Sequence, residues 1–189
     1  MKEADGVGYD PKEDQAISPG VYRAHCSKFE AGTSKDKSSH VYNLSFKIAK
    51  ESEKLKIPRV EVDELTGKMT ILEDDIISAK ALVGRVIRGQ GVWYTPRPER
   101  GQSWRNRGYI QNCNVLGINF EEDAEGKMLL AQIEEEDVIG KPLLINIAEV
   151  EYQNKANETR YTVNVVSIEP WAEGKTLTKE QLKQDDLPF

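Results

Sequence analysis

The sequence from residue 139 to residue 170, IGKPLLINIAEVEYQNKANETRYTVNVVSIEP, decides the fold class. Two runs rich in β-branched residues, 139–153 and 159–170, flank the polar stretch NKANE, so this region is predicted to be a β-hairpin. Residues 20–50 predict a second hairpin, whose strands are joined by the polar loop GTSKDKSSH. The second strand of that hairpin shows a clear period of two in its apolar residues, Tyr42, Leu44, Phe46 and Ile48.

Between the two hairpins the sequence predicts one further strand and a helix. Residues 81–95 have strand composition and are interrupted by Gly89 and Gly91, which favour a bulge or the close approach of another backbone. Ser103 fits the N-cap of a helix. Its apolar stripe recurs at spacings of four, three and four residues, at Tyr109, Cys113, Leu116 and Phe120. A short second helix is predicted over residues 127–135.

The order hairpin, strand, helix, hairpin predicts a mainly β fold with one helix between strands 3 and 4. A five-stranded oligonucleotide-binding barrel, the OB-fold, has this plan. We assign the barrel domain to residues 17–170, after an N-terminal arm at 1–16 and before a flexible C-terminal tail at 171–189. Residues 51–80 form an insertion with a predicted turn at LTGK, and the sequence does not disclose its role.

Composition excludes several classes of protein. Of the 189 residues, 38% are hydrophobic and 31% are charged, and the longest unbroken apolar run has only four residues, 128–131. No transmembrane span and no membrane partner are therefore predicted. The N-terminal lysine is not followed by the apolar segment of a secretory signal, and two cysteines are too few for a disulfide framework. We expect a cytoplasmic protein.

Charge is strongly segregated along the chain. The net charge is −6, yet residues 81–112 contain six arginines and one acid, whereas residues 121–137 contain eight acids and one lysine. The basic segment also contains four aromatic side chains, Trp93, Tyr94, Trp104 and Tyr109. Alternating rings and cations suit single-stranded nucleic acid, because unpaired bases stack on rings while cations bind the phosphates.

This pattern identifies candidate residues for binding single-stranded DNA. They lie in the basic segment and in the polar loop between the first two strands: Arg85, Arg88, Trp93, Tyr94, Arg97, Arg100, Trp104, Arg105, Arg107, Lys35 and Lys37. An alternative interpretation places Trp93 in the barrel core and Tyr109 in the seam of the helix, and treats both charge runs as ordinary solvated surface. The sequence leaves both interpretations open.

The last residues, QDDLPF, closely resemble the C-terminal tip of bacterial and phage single-stranded-DNA-binding proteins, in which acids precede a small hydrophobe, a proline and a terminal phenylalanine. The stretches ISPGVYRAHCSKFEAGTSK, DVIGKPLLINI and TRYTVNVVSIEP are similar to strand boundaries of phage-encoded members. The resemblance implies recruitment of replication or recombination proteins through the tip residues Asp185, Asp186, Leu187, Pro188 and Phe189. The approach to the tip is less acidic than in the typical bacterial protein, because it contains Lys175, Lys179 and Lys183.

The sequence and the resemblance together predict sequence-tolerant, non-catalytic binding of single-stranded DNA. The implied setting is phage DNA replication, recombination and repair in the cytoplasm of a bacterial host, and the homo-oligomeric state stays open. No cofactor and no metal site are predicted, since His25, His40, Cys26 and Cys113 lack the paired short spacings of zinc ligands. Gly174-Lys175-Thr176 lacks the earlier glycine of a phosphate loop.

Two alternative functions from other classes stay open. A metal-dependent nuclease acting on recombination intermediates would use acids such as Glu121 and Asp137 to hold Mg²⁺. These acids come in consecutive runs, which do not converge on one point of a helix, so a solvated face is the simpler interpretation. A phage adaptor protein would use the C-terminal tip only for protein docking and would not bind DNA.

Overall fold

The computed structural model describes residues 15–184. Its strands are β1 (Gly20–Thr33), β2 (His40–Ile48), β3 (Lys56–Val62), β4 (Met69–Ser78), β5 (Val86–Arg88), β6 (Val92–Tyr94), β7 (Glu121–Glu122), β8 (Met128–Leu129), β9 (Pro142–Gln153) and β10 (Thr159–Pro170). Its α-helices are α1 (Arg107–Val115), α2 (Glu135–Val138) and α3 (Lys179–Gln184), and 3₁₀ turns cover Lys50–Ser52, Ala79–Leu82 and Ser103–Asn106. Within this part of the chain, no helix has the length and apolar character needed to cross a membrane.

Six of these strands form a nearly closed, five-position antiparallel barrel. The hydrogen-bonded order is β10–β9–β1–β2–β5, and β6 pairs with β2 beyond the end of β5, so β5 and β6 together act as the third barrel strand. A parallel bridge between Gly89 and Val165 brings this third strand to β10 and closes the ring. Helix α1 lies between the third and fourth barrel strands. The predicted mainly β, OB-like barrel with its helix in this position is confirmed.

Alternation of side chains in the strands creates the core. The four apolar residues of β2 that alternate in the sequence are all buried, and β9 buries Leu143, Ile145 and Ile147 in the same way. Tyr109 of α1 is fully buried and stacks on Tyr94 with ring centroids 4.7 Å apart. Tyr109 therefore belongs to the helix seam, as the alternative interpretation had it.

The connection between α1 and β9 differs from the sequence prediction. Helix α1 ends at Val115, well before Phe120, and the predicted helix at residues 127–135 is wrong. Residues 128 and 129 of that predicted helix instead form β8, which pairs with β7 across a tight turn. The Asp123 carboxylate holds this turn by accepting the N–H groups of Glu125 and Lys127 at 3.0 and 2.8 Å. A polar turn with good hydrogen bonds outweighs a weak helical pattern.

The insertion at residues 51–80 contains the β3–β4 hairpin, which forms a separate two-stranded sheet. Its turn lies at the predicted LTGK, where the Asp63 carboxylate accepts the N–H groups of Leu65 and Thr66 at 3.1 and 2.7 Å. The turn leans on the barrel, because the Tyr161 N–H of β10 donates to the Thr66 carbonyl at 2.8 Å. The hairpin is thus fixed beside β10.

The segment at residues 171–184 is packed on the barrel, so the prediction of a flexible tail starting at residue 171 is wrong for this part. Trp171 and Leu182 are each 7% exposed. The segment comes so close to Gly140 that a Cβ there would lie 1.8 Å from the Leu177 carbonyl oxygen, and the Leu177 N–H donates to the Gly140 carbonyl at 3.0 Å. Residues 1–14 of the predicted arm and the predicted tip, Asp185–Phe189, lie outside the described residues.

Candidate nucleic-acid interface

Arg88 and Trp93 point outward from the third barrel strand. In β6, Val92 and Tyr94 are buried, whereas the intervening Trp93 is 50% exposed. In β5, Ile87 is buried and Arg88 is exposed. Positions 88 and 93 are an odd number of residues apart, so a regular strand would place them on opposite faces. The glycine-containing segment between β5 and β6 breaks the alternation and puts both side chains on the outside.

Strand β2 completes this outward surface. Val41 pairs with Trp93, and Ser45 pairs with Arg88. We call the surface formed by Val41, Asn43, Ser45, Arg88 and Trp93 the outer face. OB-fold barrels bind oligonucleotides on the corresponding face of their second and third strands, between the loops at either end.

Gly91 allows the indole of Trp93 to lie against β2. A Cβ at this position would lie 3.0 Å from Val41 Cγ2, 3.3 Å from the Asn43 side-chain oxygen and 3.6 Å from Trp93 Nε1. Any larger residue would push these groups apart, because 3.0 Å is closer than carbon atoms pack. The sequence feature that suggested a close approach at Gly91 is therefore explained by packing at the outer face.

Lys35 and Lys37 lie in the loop at residues 34–39, which joins β1 to β2 at the Trp93 end of the barrel. The loop is ordered by Asp36, whose carboxylate accepts the hydroxyl groups of Ser34 and Ser38 and the Ser38 N–H. These hydrogen bonds, led by that from Ser34, lower the pKa of Asp36 to about 2. Both lysine side chains remain exposed.

Thr95 connects this loop to the arginine-rich segment. Its hydroxyl lies 2.8 Å from the Ser39 hydroxyl, and its backbone N–H and carbonyl bond to the buried Asn106 side chain at 2.8 and 2.9 Å. Asn106 thereby closes the chain between residues 96 and 105 into a loop anchored two residues from Trp93. This loop and the start of α1 carry Arg97, Arg100, Trp104, Arg105 and Arg107, all exposed, with Trp104 at 63%.

Among the described residues, the cations of this region have no acidic partners. Within residues 15–184, no acidic group lies within ion-pair distance of Lys35, Lys37, Arg88, Arg97, Arg100, Arg105 or Arg107. Glu30 lies opposite Asn43 on the neighbouring strand β1, and its carboxylate pairs with Lys28 at 2.7 Å. Lys28 lowers the pKa of Glu30, with a smaller contribution from Arg88. The surface around Trp93 is thus positively charged with little internal compensation.

Two candidate residues lie elsewhere. Arg85 is half-buried at the opposite end of β2 from Trp93, since its carbonyl accepts the N–H of Ile48, and its guanidinium donates to the Gln15 carbonyl. Tyr94 faces the core, where its hydroxyl donates to the Leu130 carbonyl at 3.1 Å and its ring stacks on Tyr109. The structure therefore does not present either side chain on the outer face. Tyr94 is an exception because of strand parity, and Arg85 because it lies before β5 at the far end of the barrel; composition alone reveals neither.

Sequence reasoning missed Asn43, which lies between Val41 and Ser45 on the outer face. The signal was present, because the residues that alternate with the apolar positions of β2 must face outward in a barrel. An amide beside an indole and a guanidinium adds hydrogen-bonding capacity toward bases.

The other reactive residue types serve structural roles. Burial raises the pKa of the Cys26 thiol to about 12 and that of Cys113 to about 11. The His25 ring packs at a tilt of 58° against Trp171, with centroids 5.5 Å apart, and its Nε2 lies 3.0 Å from the Lys175 carbonyl. The Asp137 carboxylate accepts the Glu134 N–H at the start of α2. Within residues 15–184, no three His, Cys, Asp or Glu side chains are grouped as metal ligands would be.

Comparison with models of known protein families finds no match, and no curated protein is significantly similar to this sequence.

Proposed function

We propose that this protein binds single-stranded DNA without strong sequence preference and without catalysis. The observation that carries the proposal is that the half-exposed Trp93 and the exposed Arg88 lie on the same outer face of an OB-like barrel, opposite Val41 and Ser45 of β2. A ring stacks a base of any identity, and a guanidinium on the same face binds a phosphate further along the strand, so the recognition is independent of sequence.

The surrounding cations support the same proposal. Lys35 and Lys37 border the outer face at one end, and the anchored loop at residues 96–105 brings further arginines to that end of the barrel. A cationic rim around exposed rings favours a flexible single strand, which can follow the rim while its bases reach the rings. A duplex hides the faces of its bases and offers the rings no partner.

The wider role rests on the resemblance of the C-terminal tip. We propose that the protein acts in phage DNA replication and recombination in the host cytoplasm, and that residues 185–189 recruit a protein partner. An acidic peptide ending in Pro-Phe suits an apolar pocket rimmed by lysine or arginine, and the proline lowers the entropy lost on docking.

A titration of fluorescent oligothymidine with the full chain tests this function. We expect binding that weakens steeply between about 50 and 200 mM salt, because each phosphate contact releases counterions. Binding should not require Mg²⁺, and the oligonucleotide should stay intact when Mg²⁺ is present. A labelled duplex of the same length is the control and should bind more weakly.

Each contrary result identifies a different function. Mg²⁺-dependent shortening of the oligonucleotide, abolished by Glu121→Gln or Asp137→Asn, would establish the nuclease alternative. No anisotropy change at either salt concentration would refute DNA binding and leave the adaptor alternative. Binding that is insensitive to salt would show that the arginines do not contact phosphates.

A further inference from the structure

A lysine-lined cavity adjoins the outer face, between the barrel and helix α3. Its volume is about 370 Å³, and its apolar lining includes Val86 and Leu182. Four lysines from three separate elements also line it: Lys28 of β1, Lys47 of β2, and Lys179 and Lys183 of α3. Glu135 is the one acid among the described lining residues, so lysines from distant parts of the sequence outnumber acids around this cavity.

Helix α3 is held firmly against the barrel at this cavity. Leu182 is 7% exposed, and the buried Lys47 ammonium donates to the Leu182 carbonyl at 2.5 Å. The Lys179 ammonium lies 2.7 Å from the Glu135 carboxylate. The buried contacts of Leu182 hold the helix on the barrel, and the Lys179 pair adds an exposed contact at its start, so its lysines lie close to β2 and β5.

The cavity is continuous with the outer face. Lys28, Ser45 and Arg88 lie side by side in one row across three neighbouring strands. The next row contains Lys47, which is buried and donates to α3, and Val86, which is exposed and lines the cavity. Two residues along a strand advance by about 7 Å, close to the spacing of successive phosphates in an extended single strand. A strand lying on Arg88 therefore reaches the edge of α3 without leaving the barrel.

Positive charge dominates this edge. Lys28 and Lys179 have the acidic partners Glu30 and Glu135, and these exposed ion pairs are weak enough for a phosphate to compete. The Lys183 ammonium has no acidic group within ion-pair distance in residues 15–184. Lys179 and Lys183 are four residues apart on one helix, so they lie on the same side of it, toward the cavity.

We propose that α3 is a wall of the DNA groove and that Lys183, with Lys28 and Lys179, binds phosphates of the strand lying on the outer face. This inference rests on the proposed function. It assigns residues 179–184 to the DNA-binding surface, although the sequence predicted them to be tail. A helix that covered the groove by competing with DNA would present acids to the cavity, whereas α3 presents lysines.

Charge reversal on α3 tests the wall directly. Lys183→Glu and Lys56→Glu in the full chain change the net charge equally, but Lys56 is an exposed residue of the β3–β4 hairpin. With fluorescent oligothymidine, we expect Lys183→Glu to weaken binding about fivefold or more and to lower the salt slope by about 0.7 to 1. Lys56→Glu should stay within about twofold of the wild type.

A second variant tests whether α3 contributes to DNA binding or competes with DNA for the groove. Leu182→Asp should detach α3 while the barrel stays folded, which far-UV circular dichroism and thermal melting check. A wall predicts weaker binding for Leu182→Asp, and stronger binding would overturn the proposal. Equal affinities of Lys183→Glu and Lys56→Glu would also overturn it. If Trp93→Ala still weakens binding in that case, the proposed function stands and only the role of α3 is wrong.

Discussion

Trp93 and Tyr94 are neighbours in the sequence, yet they belong to two different aromatic groups. Tyr94 joins an inner group in which its ring stacks on Tyr109 and on His40, with centroids 4.7 and 6.0 Å away. Trp93 belongs to an outer group with Trp104, and both indoles are at least half exposed. The inner rings stack on one another, whereas the outer indoles are exposed to solvent.

The contrast shows what a basic, aromatic composition does and does not establish. All four rings of residues 93–109 contribute to the compositional signal, but alternation in β6 and the seam of α1 direct two of them inward. The inner hydroxyl groups are also used internally, since Tyr94 and Tyr109 donate to the carbonyls of Leu130 and Ala131. Stability and binding should therefore respond to different rings of the same segment.

The largest expected effect is on stability, for Tyr109→Ala. Removing a fully buried ring that stacks on Tyr42, Tyr94 and Phe120 should lower the free energy of unfolding by about 3–5 kcal/mol. Urea denaturation measures this loss. Tyr109→Phe keeps the ring, and should cost about 1 kcal/mol for the bond to the Ala131 carbonyl. Similar losses for both variants would contradict the importance assigned to the stacked ring.

Trp93→Ala should have the next largest effect, on affinity rather than stability. Loss of one stacked base should weaken oligothymidine binding about fivefold or more. The unfolding free energy should change by less than about 1 kcal/mol, because the indole is already half exposed. Tyr152→Ala is a matched control, because Tyr152 is also about half exposed, at 47%. It lies in β9 opposite Arg160, near the turn of the β9–β10 hairpin and away from Trp93. Equal affinities for the two variants would place the base-stacking ring elsewhere.

The sequence predicted those parts of the fold that depend on local patterns. Alternation in β2 follows from a period of two, and the buried stripe through Tyr109 and Cys113 from a period of about 3.6 residues. The turn at LTGK follows from its turn-forming residues, and short windows of sequence reveal all three. The order of elements then limited the architecture to very few choices. The OB-like barrel was predictable for this reason.

Long-range packing was not predictable in the same way. The parity of Arg88 and Trp93 depends on the irregular backbone near Gly91, and a single inserted residue reverses a face. The packing of residues 171–184 depends on Trp171 and Leu182, which are too widely spaced to produce a periodic signal. Their burial comes from contacts with residues more than a hundred positions earlier, such as His25 and Lys47.

Tyr94→Phe tests the division between inner and outer rings by removing only the hydroxyl group of Tyr94. The variant keeps the inner stack but removes the hydrogen bond to the Leu130 carbonyl, so we expect a loss of about 1 kcal/mol in the free energy of unfolding. Affinity for oligothymidine should stay within about twofold of the wild type, because the ring faces the core. A fivefold weaker affinity with unchanged stability would move Tyr94 from the inner group to the outer one.

The smallest expected effect concerns the loop that carries Lys35 and Lys37. The carboxylate of Asp36 accepts hydrogen bonds from Ser34 and Ser38, which lower its pKa from 3.8 to about 2. A lowered pKa means that Asp36 stabilises the loop at every pH above its unfolded value of about 4, and that this contribution is lost as the pH falls toward 2. An NMR titration of the Asp36 carboxyl carbon should give a midpoint near 2.

Ser34→Ala removes the largest contribution and should raise the Asp36 pKa toward 3.8, while Ser27→Ala in β1 serves as a control that leaves it unchanged. A wild-type midpoint close to 3.8 would mean that the loop is not held by its own acid. The distinction matters for binding, because a carboxylate that accepts hydrogen bonds from Ser34 and Ser38 orders the loop that carries the two lysines. In the described part of the chain neither lysine has an acidic group within ion-pair distance, so both can contact phosphates.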